Sequence, residues 1–563
     1  MVRGGTEPDL VGADVDVPMP AAVESRWHRS KLPRPWGHVA VVAVAMVGAR
    51  LAAYAAGVRF DASPRQGFWQ YLDASMLDAD PLSSLWHLHT QPPLFNAYLW
   101  FSESVSPFGL VTTTRLTFQL LGVALALLSW HLARELGLSR RASTVVSIVV
   151  VANPATLIYE NWLYTTYPTT VLTVALALAG ARVYRRRSVA DLAMAAAAGA
   201  GLVLLRSVFH PLWFLVTIGA LALPVLRAGR GARTVLVAVA VPTALVGGLL
   251  LKNLVLFDMA GTSSWTGMSL AKLTIDRLEP DSRLDLVARG VLDPVSAVGA
   301  FQPFGAYTAV GVPPAAPTGI PVLDNVSTAS GAPNLNYRGY LEVERRLRAD
   351  ALTVIRRDPG LYAGAVARAA RVYVGPPTCY AFTEINERHL STANKVWRIV
   401  FYGEVPYGKQ SCPHLEMPSR YSNPGWTVVA ALGAIAVVLA GGVLGRGRFG
   451  RWARRYPGVL FAAALVLYSG VLTSMLELGE NQRFRVEVEP LLIVLVAWLL
   501  AQMAGITGSP RSLHRRRLPS TTQPGQHQSS VEPFSAAGSE VPSRPPRSPA
   551  LWRPAMAIVP SSP

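Results

Sequence analysis

Ten apolar runs, joined by connections alternately rich and poor in arginine, constrain this 563-residue chain more than any other feature. The runs fall at about 38–57, 112–132, 143–159, 169–184, 189–207, 210–226, 234–251, 425–443, 457–475 and 488–505. Most approach the ~20 residues that a helix needs to cross the hydrocarbon core of a bilayer. Arg26, Arg29, Lys31 and Arg34 precede the first run. Arg134, Arg140 and Arg141 follow the second, Arg185 to Arg187 the fourth, Arg227, Arg230 and Arg233 the sixth, and Arg446, Arg448, Arg451, Arg454 and Arg455 the eighth. Cationic connections are retained in the cytoplasm, so the pattern predicts about ten spans with both termini inside. Pro93 to Phe101 is apolar but half the necessary length. Counting it as a span would put every later arginine cluster outside, so it is read as a short interfacial helix.

Composition agrees. Hydrophobic residues make up 51% of the chain and charged ones 15%, against roughly 25% charged in soluble domains. The formal charge of +18 comes largely from arginines between apolar runs, which argues against a nucleic-acid partner. The expected fold class is an α-helical polytopic membrane protein. It has a long first external loop, and an extracytoplasmic mixed domain between spans 7 and 8. The expected divisions are a disordered cytoplasmic arm (1–37), an N-terminal transmembrane catalytic module (38–251, with external loop 58–111), the extracytoplasmic domain (252–424), spans 8–10 (425–505) and a disordered cytoplasmic tail (506–563). No cleavable signal peptide is expected, because the first run is too long for one. Within 252–424, Leu347, Ala351, Val354 and Ile355 repeat at helical spacing over Tyr340 to Arg357. Asp358-Pro359 then supplies a cap and first-turn proline for a second helix.

Polar chemistry collects at the outer ends of the spans. The first loop holds Asp61, Asp73, Asp78, Asp80, His87, His89 and Gln91, with Trp69, Tyr71 and Trp86 among them. Asp61 and Asp73 are candidate general bases, whereas Asp78 and Asp80 read as turn and cap residues before Pro81. His89 reads either as an orienting group or as a structural histidine. Arg115, Arg206, Lys252, Arg483 and Arg485 sit on the side that the orientation bias disfavours. As a set they point to an anionic ligand, a phosphate at headgroup level; singly, each reads more simply as a lipid anchor or ion-pair partner. Glu480 and Asn336 complete the candidate binding set. Cys379 and Cys412, the only cysteines, share the outer segment and make a candidate disulfide. Asp61, Asp73, His87 and His89 share one loop but lack tight ligand spacing. No obligatory cofactor is expected, and a divalent metal stays open.

An acidic first loop after span 1, ending in His89-Thr90-Gln91-Pro92-Pro93-Leu94, together with Glu480-Asn481-Gln482-Arg483-Phe484 before an apolar run with Pro490, resembles the GT-C superfamily of integral-membrane glycosyltransferases. Protein O-mannosyltransferases and lipid A aminoarabinose transferases belong to it. The resemblance covers the N-terminal half well, span 10 moderately and 252–424 little. It implies inverting transfer of a sugar from a polyprenyl-phosphate-linked donor to a glycan, lipid or protein hydroxyl; the Ala-, Arg-, Gly- and Pro-rich composition separately suggests mannose or arabinose as that sugar. Transfer would take place on the extracytoplasmic face of the cell membrane, with a first-loop aspartate as base. Ala62 stands where those relatives carry the second acid of an Asp-Glu pair. A transporter or flippase of lipid-linked glycans is the alternative. It would place ionisable groups or broken helices at mid-membrane, whereas the charges here lie at span ends. A cysteine introduced near Asn334 is expected to react with a membrane-impermeant reagent in intact cells; protection there would overturn the topology.

Overall fold

The computed structural model describes residues 35–404, 425–445 and 447–505. Among them there are helices, turns and two isolated β-bridges, but no strand. The expected mixed domain is therefore helical in its described part. Its Pro-rich tracts, Val312-Pro313-Pro314 and Pro317 to Pro321, cannot donate to a β-ladder. Prolines instead start short helices, as at Pro280–Ala288 and Pro321–Asp324. Tyr340–Arg357 and Pro359–Tyr373 form two helices. At their junction the Asp358 carboxylate accepts from Leu361 N–H, satisfying one of the donors that a helix start leaves orphaned.

Helices occupy all ten apolar runs, but their lengths differ. Five are long and apolar enough to cross a membrane: Gly37–Ala55, Gly109–Glu135, Ala232–Phe257, Trp426–Leu444 and Pro457–Leu476. A sixth is reached if Arg140–Ala152 and Pro154–Glu160, bent by 55°, count together. The bend has a local cause: residues before proline avoid the helical region, and Asn153 instead caps the second piece by accepting from Ala155 N–H. Val189–Leu205, Pro211–Leu226 and Glu489–Met503 are apolar but have 17, 16 and 15 residues. Thr166–Arg186 has 21 and ends in arginines. The protein is thus an α-helical membrane protein with several apolar helices of spanning length.

The helix ends sort into two sets. At one, Arg185 pairs with Glu135, joining two of the arginine-rich connections. At the other, backbone bonds tie Asp61 to Asn161 and Leu163, Tyr71 Oη donates to Leu163 O, and Lys272 pairs with Glu477. The first loop, the 160–166 connection, the described residues of the 252–424 segment (252–404, here the polar domain) and the 477–488 connection therefore meet at one polar end. The Thr166–Arg186 helix enters it with a ladder of hydroxyls. Thr169, Thr170 and Thr173 each bond back to the carbonyl four residues earlier, which satisfies them without water.

One ion pair joins helices that the sequence leaves unlinked. Arg50 lies in the first apolar run and forks onto Glu160, which also accepts from Tyr167 Oη at 2.9 Å. Gly122 makes room: a Cβ there would overlap the Arg50 and Glu160 side chains. Glu160 is 2% exposed, so removing its partner strands a charge, a loss that typically costs about 3–5 kcal/mol. Arg50→Leu should lower the thermal unfolding midpoint in detergent markedly, and adding Glu160→Gln should recover part of the loss.

Candidate functional site

A cavity of about 1000 Å³ opens at the polar end. One wall is built at apolar helix ends by Ser207, Val208 and His210, by Phe257 to Gly261, and by Leu472, Thr473 and Leu476. Its far wall is the face of Tyr340–Arg357 that carries Leu341, Arg345 and Arg348, residues three and four apart. Gln70 and Gln91 come from the first loop.

The floor is an ionic cluster made by one short stretch and its partners. Glu480 to Glu489 folds as the helix Asn481–Val486 and the start of Glu489–Met503. Arg483 pairs with Glu480, whose other oxygen accepts from Tyr380 Oη at 2.8 Å. The guanidinium lies 4.6 Å from the Tyr164 ring centroid and 4.9 Å from that of Phe484, contacts that favour a cation. Arg206 lies 3.0 Å from Glu487 and donates to Thr165 Oγ1 at 3.0 Å. Arg485 lies 3.2 Å from Glu489. Burial works against the charge on Glu480, but Arg483 and Lys272 outweigh it and hold the carboxyl well below its usual range. The Arg483 Nε is buried without a hydrogen-bond partner.

Of the residues singled out from sequence, Gln91, Arg206, Glu480 and Arg483 line this cavity. Asp61, Asp73, His89, Lys252 and Asn336 do not, and their bonds say why. Asp73 caps the helix Ala74–Ala79 through Ser75 N–H, and its second oxygen accepts from Ala329 N–H at 2.7 Å. It is a cap and a tie to the polar domain, each oxygen accepting a backbone N–H bond. His89 is fully buried. Its Nδ1 accepts from Ser264 Oγ at 2.8 Å, and its Nε2 must donate to the Asn336 carbonyl at 3.0 Å. Burial pushes its pKa down to about 3, so it is neutral. Asn336 Oδ1 accepts from His89 N–H, and Lys252 Nζ donates to Leu88 O at 2.6 Å. These three form a latch on the loop backbone. Asp61 closes a turn by accepting from Ser63 N–H at 2.9 Å, and its backbone bridges Trp162. Arg115 is also off the cavity wall. Cys379 is disulfide-bonded, while Cys412 lies outside the described residues. Among the described residues no group of three or more His, Cys, Asp or Glu side chains is placed to hold a metal ion.

Three cavity residues were not apparent from sequence. Asp258 ends the Ala232–Phe257 helix at φ 52°, a conformation that Asp tolerates better than most residues. Arg338 and Arg348 face it from the polar domain's side of the cavity. None of the three makes a side-chain hydrogen bond or ion pair among the described residues. The other carboxylates on the wall are spent: Glu342 on Arg345 and Arg346, Glu344 on two backbone N–H groups, Glu477 on Lys272 and Glu480 on Arg483. No family model, curated protein or solved structure matches the chain.

Glu344 supplies a pH test of the wall. It caps the helix Thr266–Leu273 by accepting from Gly267 and Met268 N–H, yet burial pushes its pKa up to about 7. The folded state therefore holds this proton more tightly than the unfolded state does. The stability it contributes is complete below the unfolded pKa near 4.5 and is lost as pH rises through about 7. Unfolding midpoints measured from pH 4.5 to 8 should fall by the equivalent of up to about 3 kcal/mol. Glu344→Gln should flatten that part of the profile.

Proposed function

We propose that the protein is a membrane glycosyltransferase that moves a sugar from a polyprenyl-phosphate donor to an acceptor hydroxyl. The observation that carries this reading is the cavity. It is walled on one side by apolar helix ends and on the other by a polar domain, and it holds Arg483 and Arg206 at its floor. A lipid-linked donor and a water-soluble acceptor need such a junction to meet. The leaving lipid phosphate gains charge in the transition state, and fixed guanidiniums stabilise it. Arg483, braced by Glu480 and three aromatic rings, is preorganised for that contact.

The base must reach the acceptor hydroxyl. The geometry favours Asp258, the cavity carboxylate with no partner among the described residues. The resemblance to the GT-C transferases instead implies Asp61, which keeps one oxygen unbonded beside the end of the first apolar helix. We take the cavity residue as the base, with the polar end on the extracytoplasmic side and no obligatory metal.

The test is transfer from labelled polyprenyl-phosphate mannose and arabinose in membranes containing the protein. Asp258→Asn should lower turnover by roughly 10²–10⁴, the usual contribution of a positioned base, while the protein stays folded. Arg483→Lys should weaken donor binding more than turnover, since a point charge replaces a fork. If Asp61→Asn abolishes transfer and Asp258→Asn does not, the base is Asp61 and the transferase reading stands. Label that crosses the membrane without transfer would make the protein a flippase.

A further inference from the structure

The Ser391–Tyr402 helix is built inside out. Asn394, Arg398 and Tyr402, four residues apart, form its buried face. Each is bonded there. Asn394 donates to Glu387 and accepts from Thr378, both at 2.8 Å. Arg398 forks onto Glu404 at 2.7 and 2.6 Å. Tyr402 Oη donates to Glu489 at 2.8 Å. The outward residues of its C-terminal half are apolar: Val396, Ile399, Val400 and Phe401 are 56%, 48%, 64% and 43% exposed. The Tyr340–Arg357 helix of the same polar domain shows the opposite order. Val343, Leu347, Ala351 and Val354 are buried, and Arg345 and Arg348 face out. A helix in water follows that second pattern. The first suits a helix whose outward neighbour is hydrocarbon.

We propose that the outward face of Ser391–Tyr402 lies in lipid, and that the polar domain is seated in the membrane surface through this helix. Twelve residues make a helix of about 18 Å, too short to cross a core of about 30 Å. The helix therefore enters one leaflet or lies along the interface. Its apolar face is continuous with a spanning-length helix: Thr427, at the start of Trp426–Leu444, donates its hydroxyl to Phe401 O. The turn before it adds Phe382 and Ile385, 51% and 68% exposed. Lys395 is exposed on the helix flank, a position from which its ammonium can reach headgroups. Through Tyr402 and Glu489, and through Tyr380 and Glu480, the membrane-seated segment is tied to the stretch that carries Arg483.

The inference needs the chain to be a membrane protein, not a transferase, and its test uses no turnover. The full chain carrying Val400→Cys, labelled with an environment-sensitive dye, is reconstituted in phosphatidylcholine liposomes. Ser282→Cys, on the exposed helix Pro280–Ala288, serves as the water-facing control, and dye-treated unsubstituted protein gives the blank. Doxyl groups on the lipid chains should quench the Val400 probe several-fold more than the Ser282 probe, and aqueous iodide should do the reverse. Ile399→Cys repeats the measurement should Val400→Cys fail to fold. Iodide quenching without doxyl quenching at 399 and 400 would overturn the proposal. So would protection from both quenchers, which would mean that a second copy or another segment of the chain covers the face.

Discussion

Three arginines and three glutamates, all buried except the partly exposed Glu480, pair at the polar end and organise the molecule. Arg206, Arg483 and Arg485 face Glu480, Glu487 and Glu489, and five of the six come from ten consecutive residues. Isolated, any of these charges would be expensive to remove from water. Paired, they require the 477–489 connection to dock against the ends of Val189–Leu205 and Thr166–Arg186 and against Tyr380 and Tyr402 of the polar domain. The floor of the cavity is the surface that this docking leaves open.

The first loop depends on the same logic at lower charge. His89, the buried Lys252 near the end of the Ala232–Phe257 helix and Asn336 hold backbone carbonyls and N–H groups that would otherwise be orphaned. These polar residues look chemical in a sequence because they are rare among apolar neighbours. In the fold they satisfy the backbone of a buried part of the loop. The arrangement leaves Gln91 and Gln70 on the cavity wall.

Much of the architecture was readable beforehand, for local reasons. Hydropathy placed helices at all ten apolar runs, and Asp358-Pro359 marked the start of Pro359–Tyr373 because capping depends only on adjacent residues. Arginine spacing put the first loop, the polar domain and the 477–488 connection at one end. The span count was less legible: helices of 15 to 17 residues fall at the margin where length alone does not decide a crossing. The mixed domain was misread because turn-rich proline tracts suggest strands as readily as short helices.

The site divides the same way. Gln91, Arg206, Glu480 and Arg483, all singled out from sequence, line the cavity. Asp258, Arg338 and Arg348 were not singled out, since nothing in the sequence tells a free charge from a paired one. Nor could it show that Asp73 is tied to Ala329, 256 residues away. That the chain is helical, membrane-bound and polar at particular helix ends follows from residue order alone, because hydropathy and capping act over a few residues. Which of those polar groups pair with one another and which face the cavity is settled by the folded arrangement, because pairing and burial depend on contacts between distant parts of the chain.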